Sequence, residues 1–301
     1  MMHLALRADG AFELLAELAE SEARGELAEI YAAIRHWCAV PYVSSMQRHL
    51  ATRPGWLEWA WRAVAPAFES GVAQEAAWRA SAPVMLAPLP PLSGDVLSLL
   101  GVDESGMRAI RGLCDGFVRV SPTNLMFSGL VQKLLRGAAG GGRAYAAWQP
   151  PAPVPAPPPL VSIASMPPPL LAVLRTFEVE VDGHPFIPGL YRMLAHWPGF
   201  LAYIATVLPP RMAEPASAQG CVEVVRAIDG VLDEALAVLP SAAHKPLPPR
   251  AEHAAVLAAM ERYRLTSPQM VLLGRLLRDC LPQVAGSDCV GCMGSDIHTA
   301  L

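Results

Sequence analysis

Apolar residues recur at helical spacing over most of the chain. Leu14, Leu15, Leu18, Leu27, Ile30, Tyr31 and Ile34 fall at three- and four-residue steps between Phe12 and His36, with a break near Gly25. Val40-Pro41 ends the pattern, because the residue before a proline is pushed out of the helical region. A short helix is predicted from about Ser44 to Thr52, with Ser44 as N-cap. Pro54 suits a first helical turn, so the next helix runs to about Ala73 and carries Trp56, Trp59, Trp61 and Phe68. Residues 74–86 read as helical until Pro88, Pro90 and Pro91 intervene. Ser93–Leu100 and Glu104–Val118 follow, and Ser121-Pro122 opens a further helix to about Arg136.

Beyond residue 170 the plan recurs, with helices expected over Leu170–Phe177, Pro188–Trp197, Pro198–Met212, Ser217–Val238, Ala251–Arg262 and Ser267–Leu281. Residues 178–182 alternate like a strand. With no evident partner they read as an extended connection. The last twenty residues lack periodicity and are expected to fray.

The recurrence extends to residue identity. Residues 48–57 and 192–201 share the skeleton Arg-x-Leu-Ala-x-x-Pro-Gly-aromatic-Leu at an offset of 144 (192 less 48). At that offset Pro41, Tyr42 and Val43 match Pro185, Phe186 and Ile187, Leu27 and Ile30 match Leu171 and Leu174, and Pro66 matches Pro210. At an offset of 146 (263 less 117), Phe117, Ser121-Pro122 and Leu130 match Tyr263, Ser267-Pro268 and Leu276. So long a period excludes a solenoid and implies two related helical halves facing each other. The expected fold is all-α: two tandem pseudo-symmetric repeats, 1–136 and 170–282, around an interface cavity. A Gly-rich then Pro-rich stretch, 137–169, has the composition of an extended polyproline-like linker. Residues 283–301 form a tail.

Composition sharpens this picture. With 53% hydrophobic and 17% charged residues, the chain can bury a large core. A net charge of −4 without a basic cluster argues against nucleic acid. No apolar run approaches a membrane span. Met1 to Arg7 leads into Asp9 and Glu13 without the order of a signal peptide, so the expectation is cytoplasmic. Six cysteines in no spaced framework are expected as free thiols.

Gly25-Glu26, Ile30-Tyr31, Ile34-Arg35, Val40-Pro41-Tyr42-Val43 and Arg48-x-Leu50-Ala51-Thr52-x-Pro54-Gly55 together resemble the group I (DL-type) 2-haloacid dehalogenases. The resemblance continues through Pro88-Leu89-Pro90, Phe117, Pro122 and Leu125 to Leu194-Ala195-x-Trp197-Pro198, over roughly residues 20–280. It implies an all-helical enzyme with its site between two repeats. Such enzymes hydrolyse the carbon–halogen bond of short 2-halocarboxylic acids by direct attack of water, without a covalent ester. An Asp at the start of a second-half helix acts as base, and a first-half Asn helps hold the water. A positioned carboxylate is needed because water attacks a saturated carbon poorly. Counted from Trp197-Pro198, the Asp position falls on Leu190; counted from Pro122, the Asn position falls on Ser121. The flanking pocket positions map to Tyr42, Ser45 and Gly189, and Phe186, the match of Tyr42, is expected beside them. The resemblance implies a small-molecule ligand such as a 2-halocarboxylic acid, with no cofactor and no metal. A homodimer is compatible with it.

Leucine cannot take a proton, so three readings stay open. The first is a dehalogenase with altered chemistry, in which Asp182 or His184 could supply the base. The second is a silent relative binding a small carboxylate or apolar ligand. The third is thiol redox through Cys289-Val290-Gly291-Cys292 with His298. Against these stand plainer expectations: Glu178, Glu180, Asp182 and His184 as a solvated loop, Asp115 as a helix-surface charge, and His36, His49 and His196 as packed or surface side chains. Two cysteines and one histidine fall short of a zinc site, and the tryptophan-rich stretches are expected in the core.

Overall fold

The computed structural model describes residues 15–181, 183–241 and 248–282, with His184 through its backbone alone. Asp182, Cys289, Cys292 and His298 lie outside the described residues. Helix α1 (Glu26–Cys38) buries the stripe Ile30, Tyr31, Ile34 and Cys38. Upstream, where the apolar spacing predicts helix, the described residues 15–25 make only a 3-10 turn at Glu20–Glu22. Gly25, with φ +56, sets the helix start. Then come α2 (Ser45–Leu50), α3 (Trp56–Glu69), α4 (Val72–Ser81) and α5 (Gly94–Leu99). Ser44 precedes α2 in extended conformation, but its hydroxyl donates to the Gln47 side chain rather than capping the helix.

Helix α6 (Glu104–Leu135) runs unbroken through Pro122, where a new start is predicted. Its 120–132 stretch is buried all round, so a break there would strand backbone groups away from water. Losing one N–H to proline is the smaller cost. Downstream lie α7 (Pro168–Arg175), α8 (Gly189–Leu194), α9 (Pro198–Met212), α10 (Pro215–Asp229) and α11 (Leu232–Leu236). The final helix, α12 (Arg250–Cys280), absorbs Pro268 as α6 absorbs Pro122. Within the stretch 178–182, residues 179–181 do find a partner. β1 (Val179–Val181) pairs antiparallel with β2 (His184–Phe186), Val179 opposite Phe186, and Gly183 takes φ +79 at the turn. Asp182-Gly183 is the sequence signal for such a hairpin.

Two apolar cores form, and they cut across chain order. One gathers α1 to α4, the second half of α6, and then α10, α11 and the first part of α12. The other gathers α5, the start of α6, α7 to α9 and the end of α12. Helices α6 and α12 lie against each other and pass through both. Arg264 on α12 is 5% exposed and donates to Leu125 O (3.0 Å) and Ser128 Oγ (3.1 Å) on α6 and to Asp229 Oδ1 (2.6 Å) on α10. Arg264→Met is expected to lower stability by about 2–3 kcal/mol, the scale of charged hydrogen bonds, read from urea unfolding.

The segment from Gly137 onward crosses the molecule as a strap without regular structure until a 3-10 turn at Ile163–Ser165. Gly141 N bonds Leu236 O at 2.9 Å, and Gly142 N bonds Leu239 O at 2.8 Å. Trp148 then stacks near Trp37 and Trp78 and donates to Glu75 Oε1. Its ring occupies the place of a side chain on Gly71, where a Cβ would fall 2.3 Å from the indole and φ is +74. Gly71→Ala is therefore expected to unseat the strap and cost about 1–3 kcal/mol. Limited proteolysis within residues 137–160, faster than in wild type, checks it.

Candidate ligand-binding site

Where the two cores meet, a cavity of about 190 Å³ opens between the proline-bearing stretches of α6 and α12. The loop before α2 and α2 itself contribute Tyr42 to Met46 and Arg48; α6 contributes Phe117, Val120, Ser121 and Asn124. Opposite stand Phe186 to Gly189 and α8 residues Arg192 and Met193. Tyr263, Thr266, Ser267 and Met270 come from α12, Leu160 from the strap, and Glu17 from the segment before α1.

Five of the sequence-derived positions therefore line this cavity: Tyr42, Ser45, Ser121, Phe186 and Gly189. Leu190 does not. It is fully buried in the second core, on the side of α8 turned away from the cavity lining, and its neighbour Gly189 takes the lining position. Of the other carboxylate considered in α6, Asp115 sits 3.7 Å from Arg278, off the cavity. Burial raises its pKa although Arg278 and Arg111 oppose the shift.

Among the polar lining residues that the sequence does not place at the site are Asn124, Arg48, Glu17 and Arg192. Asn124 lies one helical turn beyond Ser121 on the same face of α6. Its Oδ1 accepts from Gln47 Nε2 at 3.0 Å, and Gln47 in turn accepts from Ser44. A carboxamide thus does stand on the first-half wall, held in one orientation. Arg48 pairs with Glu17, Nη2 to Oε2 at 2.6 Å. Glu17 is the one carboxylate among the described lining residues.

Arg192 is different. It is 6% exposed, lines the cavity, and makes no hydrogen bond or ion pair with any of the described residues; its Nε is buried without a partner. A buried guanidinium without a counter-ion is costly. Arg48 and Arg192 are the matching first residues of the repeated skeleton. One is neutralised within the chain and the other is left open to the cavity.

Around these groups the exposed lining is mostly apolar, interrupted by the hydroxyls of Ser44, Ser45, Thr266 and Ser267. Tyr42 packs near Phe117, ring centroids 6.3 Å apart, and its buried hydroxyl has no partner among the described residues. Burial raises its pKa, so it stays protonated. The described cysteines are free: burial pushes Cys38 up to about 12 and Cys221 and Cys280 up to about 11, which keeps them as thiols. No cluster of metal-ligating side chains occurs among the described residues, and no described helix is long and apolar enough to cross a membrane.

His49 sits behind the wall on α2. Its Nδ1 donates to Ala16 O at 2.7 Å, and burial lowers its pKa below 6.5. The unfolded chain then binds more protons than the folded one below about pH 6.5. Stability is full above that value and falls as pH drops through the lowered one. Melting temperature measured from pH 7.5 to 5.5 should decline less in His49→Gln than in wild type.

Fold and cavity together define a helical protein with a pocket between two interlocked cores and, on its lining, an arginine unpaired among the described residues. No family model and no curated protein matches the chain. Among solved structures, the complex of D-2-haloacid dehalogenase with L-LA superposes with a TM-score of 0.73 and 22% identity, over 89% of this chain and 97% of that one. A D-2-haloacid dehalogenase mutant with D-2-CPA gives 0.70 and 21% over the same shares. The chain has the fold of D-2-haloacid dehalogenase.

Proposed function

We propose that this protein takes up a monocarboxylate of the 2-haloacid type in the cavity, with Arg192 receiving the carboxylate. The unpaired Arg192 carries this reading. The other cation on the wall, Arg48, already has Glu17, so the lining carries one excess positive charge, and a monoanion balances it. Planar bidentate pairing suits a guanidinium and a carboxylate. Asn124, oriented by Gln47, and the Ser121 hydroxyl are within the same wall to hold the polar end of a ligand or a water.

Hydrolysis of the carbon–halogen bond is the second reading, and Glu17 favours it. Water attacking C2 would displace halide and leave a 2-hydroxy acid, with the water's proton passing to a base. Glu17 is the carboxylate on the described wall that could accept it, although its Oε2 is already engaged by Arg48. Binding alone is the stronger reading, since the α8 position from which a base would project is occupied by Gly189.

Calorimetric titration of both 2-chloropropionate enantiomers, beside the neutral 2-chloropropanamide, tests the proposal. Binding of the acid and not the amide is expected. Equal binding of both, or of neither, overturns it. Halide release in the same samples decides between the readings, and its loss in Glu17→Gln would assign the base.

A further inference from the structure

Resting on the carboxylate-binding reading above, we infer that the preferred ligand carries a bulky apolar group, a medium-length alkyl or phenyl side chain, and that two- and three-carbon acids bind the same site more weakly. The cavity is larger than the latter fill. One ordered water needs about 10–15 Å³ of such space, so 190 Å³ admits on the order of a dozen waters. A three-carbon acid displaces only a few of them. Many of the remainder would stay against the apolar part of the lining, which offers them no hydrogen bonds.

Those walls are also of a particular kind. Met46, Met193 and Met270 enter from three different elements, and Phe117, Phe186 and Leu160 are among the other apolar side chains of the lining. Methionine is unbranched and polarizable, and it adapts to aromatic and alkyl surfaces alike. Gly189 leaves further room: a Cβ there would meet only Leu160, at 3.7 Å. Polar side chains stand around the cavity, but most of the surface it exposes is apolar, which suits a ligand with one charged end and a larger apolar body.

The test is a chain-length series titrated into the wild-type protein: acetate, propionate, butyrate, hexanoate and phenylacetate, with 1-hexanol as the uncharged control. Each added methylene that is buried contributes roughly a fourfold gain in affinity. Hexanoate is therefore expected to bind on the order of a hundredfold tighter than acetate, phenylacetate comparably to hexanoate, and 1-hexanol far more weakly. Met193→Trp, which fills the cavity from its wall, should flatten the series by penalising the long acids alone. If that variant fails to fold, the wild-type series decides by itself. Acetate and propionate binding as tightly as hexanoate would overturn this inference and leave the carboxylate-binding reading intact. Hexanol binding as tightly as hexanoate, or no acid binding at all, would overturn both.

Discussion

Arg192→Met should abolish measurable carboxylate binding, an expected loss of at least a hundredfold, while the protein stays folded. Truncating one side of a desolvated charge pair costs about 2–5 kcal/mol of affinity. Here the loss falls on binding and not on folding, because the guanidinium has no partner among the described residues to leave behind. Removing a buried, uncompensated charge should even raise the melting temperature of the unliganded protein slightly. Arg192→Lys keeps the charge but not the planar fork, and part of the affinity should return. Titration calorimetry and thermal unfolding of the three proteins check this. Unchanged affinity in Arg192→Met would remove the central support of the functional proposal.

The second large effect concerns Leu190. Leu190→Asp places a carboxylate in the second core beside Phe177, Tyr191 and Phe200, all fully buried. An unpaired acid there is expected to cost about 3–5 kcal/mol and to release no halide. Gly189→Asp should behave oppositely. Its side chain enters the cavity with only Leu160 nearby, and it stands in the first turn of α8, where a negative charge is favoured. That variant is expected to fold with near wild-type stability. It is also the one in which halide release from 2-chloropropionate should appear or rise. Urea unfolding and halide release on both variants separate the two positions. Activity in Leu190→Asp with stability intact would mean that α8 can turn its face to the cavity.

The distinction between residues 189 and 190 shows where the sequence is legible and where it is not. Helical periodicity and paired prolines are local signals, and they are enough for an all-helical chain; the cavity-lining Tyr42, Ser45, Ser121 and Gly189 come from what the dehalogenase resemblance implies, and Phe186 from its repeat match to Tyr42. Which face of a six-residue helix meets the cavity depends on its packing, and a count from Trp197-Pro198 cannot resolve one residue, about 100° of rotation. Asn124 was hidden by the expectation of a helix start at Pro122; on an unbroken helix, 117, 120, 121 and 124 share a face. Glu17 has no signal, since its place depends on Arg48 and on a bond from Leu18 N to Arg48 O. The two arginines were visible as the first letter of the repeated skeleton. What could not be read was that only one has a partner.

The crossing of the cores over chain order has a consequence for how the polypeptide can come apart. Neither the N-terminal nor the C-terminal stretch holds a complete apolar interior: each supplies helices that finish the other's. Cleaving the backbone at Arg143, in the strap between them, should therefore leave two fragments bound as tightly as subunits of an obligate dimer. Each fragment made alone should be insoluble, and mixing the two during refolding should restore the pocket. The ligand site would then report reassembly of the whole molecule, since its walls exist only where the two pieces meet.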